Sequence, residues 1–245
     1  MIIFHQYGAR RTGTNYVQAL LEENYSNVMV LDNIVWKHAP SPPADEFIGR
    51  FLQDRERHFN KTCAARQDLY ECLQKKVLTN EVIPLLTIKN PYAWVESMWR
   101  YTKNLRIFNP HELGTKYVFL DPAQKLSSQE DNVTELMNSY NQRYQQWGHT
   151  TRFVVRYEDL LIDYESILSF FEEQHSLQRI NKDLLNIKSG CDPTPANLKH
   201  INPDWDYANY YLTESYLKNL PSNIIECITE TTDWSLFEKY QYSAI

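Results

Sequence analysis

Residues 1–21, MIIFHQYGARRTGTNYVQALL, hold the reading that decides the fold. Met1 to Gln6 is a short apolar run ending at Tyr7 and Gly8, the pattern of a buried parallel strand that feeds a turn. From about Gly13 the spacing becomes helical. Tyr16, Val17, Leu20 and Leu21 fall at i, i+1, i+4 and i+5, one apolar stripe that runs on to about Asn24. Strand, turn and helix open the chain.

Two more units repeat that order. Ile83 to Lys89 reads as an apolar strand, followed by Asn90 as a helix N-cap and Pro91 at the first helical position, where its missing N–H costs nothing. Trp94, Val95, Met98 and Thr102 carry the helix onward. Arg152 to Tyr157 (RFVVRY) reads as a third strand. Glu158 and Asp159 then favour a helix start through the macrodipole, and Leu160, Leu161, Ile167, Leu168 and Phe171 supply the apolar face. Between the units, Val28–Leu31 and Ile34–Trp36 read as extended, and the charged stretch 45–76 as helix with a solvated face. Beyond Gly190 a Pro- and Asn-rich stretch gives way to helices rich in Tyr and Leu. The pattern predicts an α/β fold, a central parallel β-sheet flanked by helices, with its ligand site at the carboxyl ends of the strands. One domain is expected over 1–245, with a ligand-binding α/β core over 1–175 and a helical C-terminal part over 176–245.

With 245 residues and 42% hydrophobic content, the chain can bury one substantial core. It has no run of about 18 apolar residues and no basic, then apolar, amino terminus, so neither a membrane span nor a signal peptide is expected. Its four cysteines, Cys63, Cys72, Cys191 and Cys227, match neither a zinc site nor a redox pair, which points to a reducing cytoplasm. A net charge of −6 argues against general affinity for nucleic acid or anionic membrane. An anion has to be held by a local site.

The turn supplies a candidate. Gly8, four residues, Gly13 and Thr14 have the spacing of a Walker A loop, in which backbone N–H groups at a helix amino terminus cradle phosphate. The lysine that a nucleotide triphosphatase needs after the second glycine is replaced by Thr14, and the cations stand earlier, at Arg10 and Arg11. Taken alone, the segment also reads as an ordinary strand-to-helix turn with two surface arginines. A second candidate follows the second strand. Lys89 closes that strand, and Ser97, eight residues on, falls nearly in line with Asn90 on the helix, so a cation and a hydroxyl flank a helix amino terminus. A ligand with two separated anionic groups explains both.

ARRTGTNY resembles the 5′-phosphosulfate loop of P-loop-related sulfotransferases, commonly PKSGTTW or PRSGTNY, with Arg11 at the cationic position. KNPYAWVES resembles that family's 3′-phosphate element, with Lys89 in place of an arginine and Ser97 eight positions later. VVRYEDLL resembles its third strand and helix start, where Tyr157 matches the residue beside the adenine. The three matches occur in the family's order over about residues 1–175. The resemblance, to a soluble, bacterial-type member, implies a P-loop NTPase-like sulfotransferase fold. It also implies 3′-phosphoadenylyl sulfate (PAPS) as donor, in-line transfer of a sulfuryl group to a hydroxyl or amine, and no metal.

On that resemblance Arg10, Arg11, Thr12, Gly13, Thr14, Asn15 and Tyr16 hold the 5′-phosphosulfate, Lys89 and Ser97 the 3′-phosphate, and Tyr157 the base. Trp36-Lys37-His38 resembles the family's Lys-Thr-His segment one residue shortened, with His38 as proton acceptor and Lys37 on the sulfate. A loop histidine without catalytic duty is the other reading of His38. The aromatic run Trp205, Tyr207, Tyr210, Tyr211 and Tyr216 fits either an acceptor pocket for a small molecule or glycan, or helix packing. A P-loop nucleotide kinase and a non-catalytic nucleotide-binding protein are the alternatives.

Overall fold

The computed structural model describes residues 1–9, 11–31, 75–76, 79, 81–108, 133–151, 153–186 and 206–245. Among these residues four strands form one parallel sheet: β1 (Ile2–Tyr7), β2 (Val28–Leu31), β3 (Ile83–Ile88) and β4 (Phe153–Arg156), in the order β2-β1-β3-β4. β1 pairs on one side with β2, Ile2 opposite Val28, and on the other with β3, Phe4 opposite Ile83. β3 pairs with β4, Leu85 opposite Phe153. The helices are α1 (Thr14–Asn24), α2 (Pro91–Phe108), α3 (Val133–Thr150), α4 (Tyr157–His175), α5 (Tyr207–Leu212) and α6 (Ser222–Thr231). The sequence thus anticipates the α/β class and the parallel sheet, each strand within a residue or two of its expected bounds. The extended segment 34–36 and nearly all of 45–76 lie outside the described residues.

The order of the strands sets where a ligand can enter. The chain leaves β1 for β2 on one side and then returns to place β3 on the other, so the crossover connections diverge between β1 and β3. In open parallel sheets a crevice forms at the carboxyl ends of strands at that point. The turn after β1 and Lys89 after β3 both stand there.

Burial explains why these residues form these elements. Ile3 to Tyr7 are all buried, as expected for a central strand covered on both faces. α1 lays Tyr16, Val17, Leu20 and Leu21 on the sheet. The cap anticipated at Asn90 forms: its Oδ1 accepts from the N–H of Tyr92 at 2.9 Å and of Ala93 at 3.4 Å. α3 buries Met137, Tyr140, Tyr144 and Trp147. Two of its tyrosines reach the end of β3. The Tyr144 hydroxyl donates to the Thr87 carbonyl and the Tyr140 hydroxyl to the Lys89 carbonyl, each at 2.8 Å. They satisfy carbonyls where the strand ends, which a buried strand end requires.

α4 starts at Tyr157 with Glu158 and Asp159 in its first turn. Its backbone breaks at Asp163 (φ −152°, ψ 72°), whose carboxylate accepts from the Ser166 N–H at 3.0 Å and hydroxyl at 2.6 Å. Asp163 therefore caps a second helical segment inside the first. No described helix is long and apolar enough to cross a membrane.

Candidate functional site

The turn between β1 and α1 is built by local constraint. The Thr12 hydroxyl donates to the Ala9 carbonyl at 2.7 Å, and the buried Gln6 amide donates to the Thr14 carbonyl at 2.6 Å. A Cβ on Gly8 would lie 2.8 to 2.9 Å from Thr14 Cγ2, Thr12 Oγ1 and Thr87 Oγ1, so the backbone passes β3 closer than any other residue allows. Gly13 is the N-cap of α1 at φ 91°, and Arg11 holds a left-handed φ of 69°, an uncommon conformation for a residue with a side chain. Gly13 offers no capping side chain, and the first turn of α1 carries no acidic residue. The positive end of the helix dipole is therefore not neutralised by its own first turn, the arrangement that favours an anion.

Lys89 emerges beside this turn. Its side chain is 2% exposed, and among the described residues no carboxylate oxygen lies within 4.0 Å of its ammonium group. Two aromatic faces surround it instead: Nζ is 4.4 Å from the centre of the Tyr157 ring and 3.6 Å from that of Tyr211. Burial pushes the Lys89 ammonium below the ordinary lysine range, against the opposing influence of Tyr211 and Glu158.

Tyr157 joins the two halves of the site. A Cβ added to Gly13 would fall 2.3 Å from Tyr157 Cδ2, so the ring lies flush on the turn while its face meets Lys89. Glu158 fixes this corner by accepting from the Asn90 N–H at 3.1 Å and from the Tyr242 hydroxyl.

The expected site residues therefore divide into groups. Gly13, Lys89 and Tyr157 stand in direct succession. Arg11 is exposed on the turn and near enough to α5 to act on Tyr207, whose phenol burial and Tyr211 push up while Arg100 and Arg11 pull it down. Thr12 and Thr14 are buried within the turn, and Asn15 is exposed on α1. The Tyr16 hydroxyl donates to Asn186 at 2.9 Å, and burial, with Tyr164 nearby, pushes its phenol up to about 12. Ser97 is buried on α2 without a hydrogen bond to Lys89. Arg10, Lys37 and His38 lie outside the described residues, as do Trp205 and the stretch 187–205.

No family model matches the sequence, and no curated protein matches it. The chemistry rests on the residues themselves.

Two more side chains meet Lys89 and its neighbours: Arg100, which was not anticipated, and Tyr211, anticipated only within the aromatic run. Arg100, three residues beyond Ser97 on α2, donates from Nη2 to the Tyr211 hydroxyl at 2.6 Å and places Nε 2.6 Å from the fully buried Glu96. Burial opposes its charge, but Tyr211 and Glu96 together raise it further above the usual range. Tyr211 stands between Arg100 and Lys89. Burial pushes its phenol up, yet the two cations outweigh burial and hold it below an ordinary tyrosine. The spacing of Ser97 and Arg100 on one helix face was the only signal in the sequence that could have drawn Arg100 in. Among the described residues no group of His, Cys, Asp and Glu side chains could hold a metal ion.

Proposed function

We propose that this chain is a sulfotransferase that binds PAPS across the carboxyl ends of β1 and β3 and passes its sulfuryl group to a hydroxyl or amine. One observation carries the reading: Lys89, a buried cation with no described carboxylate within ion-pair distance, stands one strand away from a glycine turn that presents Arg11 and an uncapped helix amino terminus. Two anion sites on neighbouring strand ends suit a ligand with a 3′- and a 5′-phosphoryl group better than a linear triphosphate.

The residues fit such a donor in these respects. Gly8 and Gly13 bring backbone rather than side chains to the turn, and Lys89 provides charge in a buried, low-dielectric position, where it acts more strongly than in water. Tyr157 stands between the two anion sites, at the position that the resemblance places beside the adenine. Transfer at sulfur moves negative charge onto the bridging phosphate oxygen. Arg11 and the amides at the start of α1 neutralise that charge, which is the principal service a protein performs in this kind of displacement. His38, in the role its segment suggests, takes the acceptor proton near neutral pH.

The test is transfer from labelled PAPS to a panel of phenolic, glycan and amine acceptors, read by mass spectrometry. Arg11→Ala and His38→Ala are each expected to lose about a hundredfold or more in rate. Magnesium-dependent turnover of ATP without sulfuryl transfer would replace this reading with a kinase, and binding without either activity would replace it with a nucleotide-binding protein.

A further inference from the structure

We propose that Tyr242 is a positioning residue of the crevice: its hydroxyl holds the Glu158 carboxylate on the amide of Asn90 and away from Lys89, which leaves that cation open to an anion. The inference rests on the proposed function only in taking Lys89 to meet an anionic ligand. The hold on Glu158 stands on geometry.

Glu158 follows Tyr157 in the first turn of α4, and both of its oxygens are engaged away from the cation. Oε1 accepts from the Asn90 N–H at 3.1 Å, and Oε2 accepts from the Tyr242 hydroxyl. Glu158 and Tyr242 are both buried, so a carboxylate oxygen freed there has little water to turn to. Burial and the neighbouring Glu158 charge push the Tyr242 phenol well above its ordinary range, which keeps it a donor. The segment that carries Tyr242 is itself fixed. A 3₁₀ turn over Glu238–Tyr240 ends at Gln241 in the left-handed conformation (φ 61°), and the Tyr242 N–H donates back to the Phe237 carbonyl at 3.3 Å. The Arg156 guanidinium stands 4.8 Å from the centre of the Tyr242 ring and donates from Nη1 to Gln241 at 3.2 Å.

The charges at this corner decide where a freed carboxylate goes. Tyr157 and Glu158 from α4, Tyr211 from α5 and Arg100 from α2 all act on Lys89, and none of the described carboxylates pairs with it. The other cations nearby have partners: Arg100 has Glu96 at 2.6 Å and Arg156 has Asp159 at 3.6 Å. Lys89 adjoins Asn90, to whose amide Glu158 is already bonded, so a turn of the carboxylate brings it toward the cation that has none. A buried ion pair formed there is strong, and a ligand anion would have to break it.

Tyr242→Phe keeps the ring beside Arg156 and removes the donor. In NMR titrations of the lysine ε-methylene groups, with Lys89→Met identifying the resonance, Lys89 is expected to titrate at higher pH in Tyr242→Phe than in the wild type. Adding Glu158→Gln to Tyr242→Phe reverses that change. Calorimetric titration of the whole chain with adenosine 3′,5′-bisphosphate shows about tenfold weaker binding by Tyr242→Phe and recovery in the double variant, while adenosine 5′-monophosphate binds all three proteins alike. A tyrosine of merely structural duty lowers the melting temperature and leaves the Lys89 titration where it is. If the titrations follow the expected pattern while the wild type binds both nucleotides equally, the hold on Glu158 stands and the nucleotide reading fails. An unmoved Lys89 titration, a change that Glu158→Gln does not reverse, or a bisphosphate preference undiminished in Tyr242→Phe would overturn the proposal. So would failure of Tyr242→Phe to fold, since the freed carboxylate would then have found no partner in Lys89.

Discussion

Replacing Lys89 by Met separates stability from function at one atom. Met has nearly the length of Lys and no charge, so the packing between Tyr157 and Tyr211 is retained. The effective cost of burying an ion is several kcal/mol. Lys89 recovers part of it from two aromatic faces, at 3.6 and 4.4 Å, each worth up to about 2 kcal/mol when desolvated. The uncompensated remainder is about 1–2 kcal/mol. For a chain of this size, Lys89→Met is therefore expected to raise the melting temperature by about 3–6 °C.

The pH dependence has a definite sign. The ammonium lies lower in the folded chain than in the unfolded one, so between those two values the unfolded chain binds more protons. Lys89 thus adds stability as pH rises through its folded value toward that of a free lysine, and the Met variant lacks this increment. The assay is differential scanning calorimetry from pH 7 to 10, with and without adenosine 3′,5′-bisphosphate. At a hundredfold excess over its dissociation constant the ligand stabilises the wild type by about 2.7 kcal/mol, and the Met variant loses most of that gain. A fall in stability of more than about 2 kcal/mol on substitution would mean that Lys89 is a fully compensated structural cation, and the reasoning would be refuted.

Other outcomes follow from the same contacts. Gly13→Ala forces a Cβ to within 2.3 Å of Tyr157 at φ 91° and is expected to cost about 2–3 kcal/mol by urea midpoint, with weaker anion binding because the ring is displaced from the turn. Tyr140→Phe leaves the Lys89 carbonyl unpaired in a buried place and should cost about 1–3 kcal/mol, with little change in anion affinity if the backbone holds. Burial raises the phenols of Tyr16 and Tyr25 to about 12, so the unfolded chain loses those protons first above pH 10 and stability falls between pH 10 and 12. Thermal melts across that range check it, and Tyr25→Phe should flatten the fall.

The parts of the fold that were legible in the sequence are those written in local chemistry. β1, the Gly8–Gly13 turn and α1 follow from a switch of apolar period, and the cap at Asn90 from one side chain placed before a proline. α3 was not singled out, although Met137, Tyr140, Tyr144 and Trp147 recur at helical spacing. Asn138, Asn141, Gln142, Gln145 and Gln146 lie between them and dilute the apolar stripe.

At the site, Gly13, Lys89 and Tyr157 were readable because each ends a strand or begins a helix at the same edge of the sheet. Their mutual contact was not, since it depends on how β3 and β4 pair. Tyr211 was visible only as one of several aromatics. What distinguishes it is that Arg100 donates to its hydroxyl while Lys89 lies over its ring, an arrangement that arises from packing between distant elements and leaves no mark in the neighbouring sequence.

The central claim is that two anion sites, one at the Gly8–Gly13 turn and one at Lys89, bind a single bisphosphorylated ligand. Isothermal titration of the chain with adenosine 3′,5′-bisphosphate and with adenosine 5′-monophosphate, both without magnesium, tests it most directly. The bisphosphate is expected to bind at one-to-one stoichiometry and at least about tenfold more tightly, with Lys89→Met abolishing the difference. Equal affinity for the two nucleotides, or a preference that survives in Lys89→Met, would contradict it.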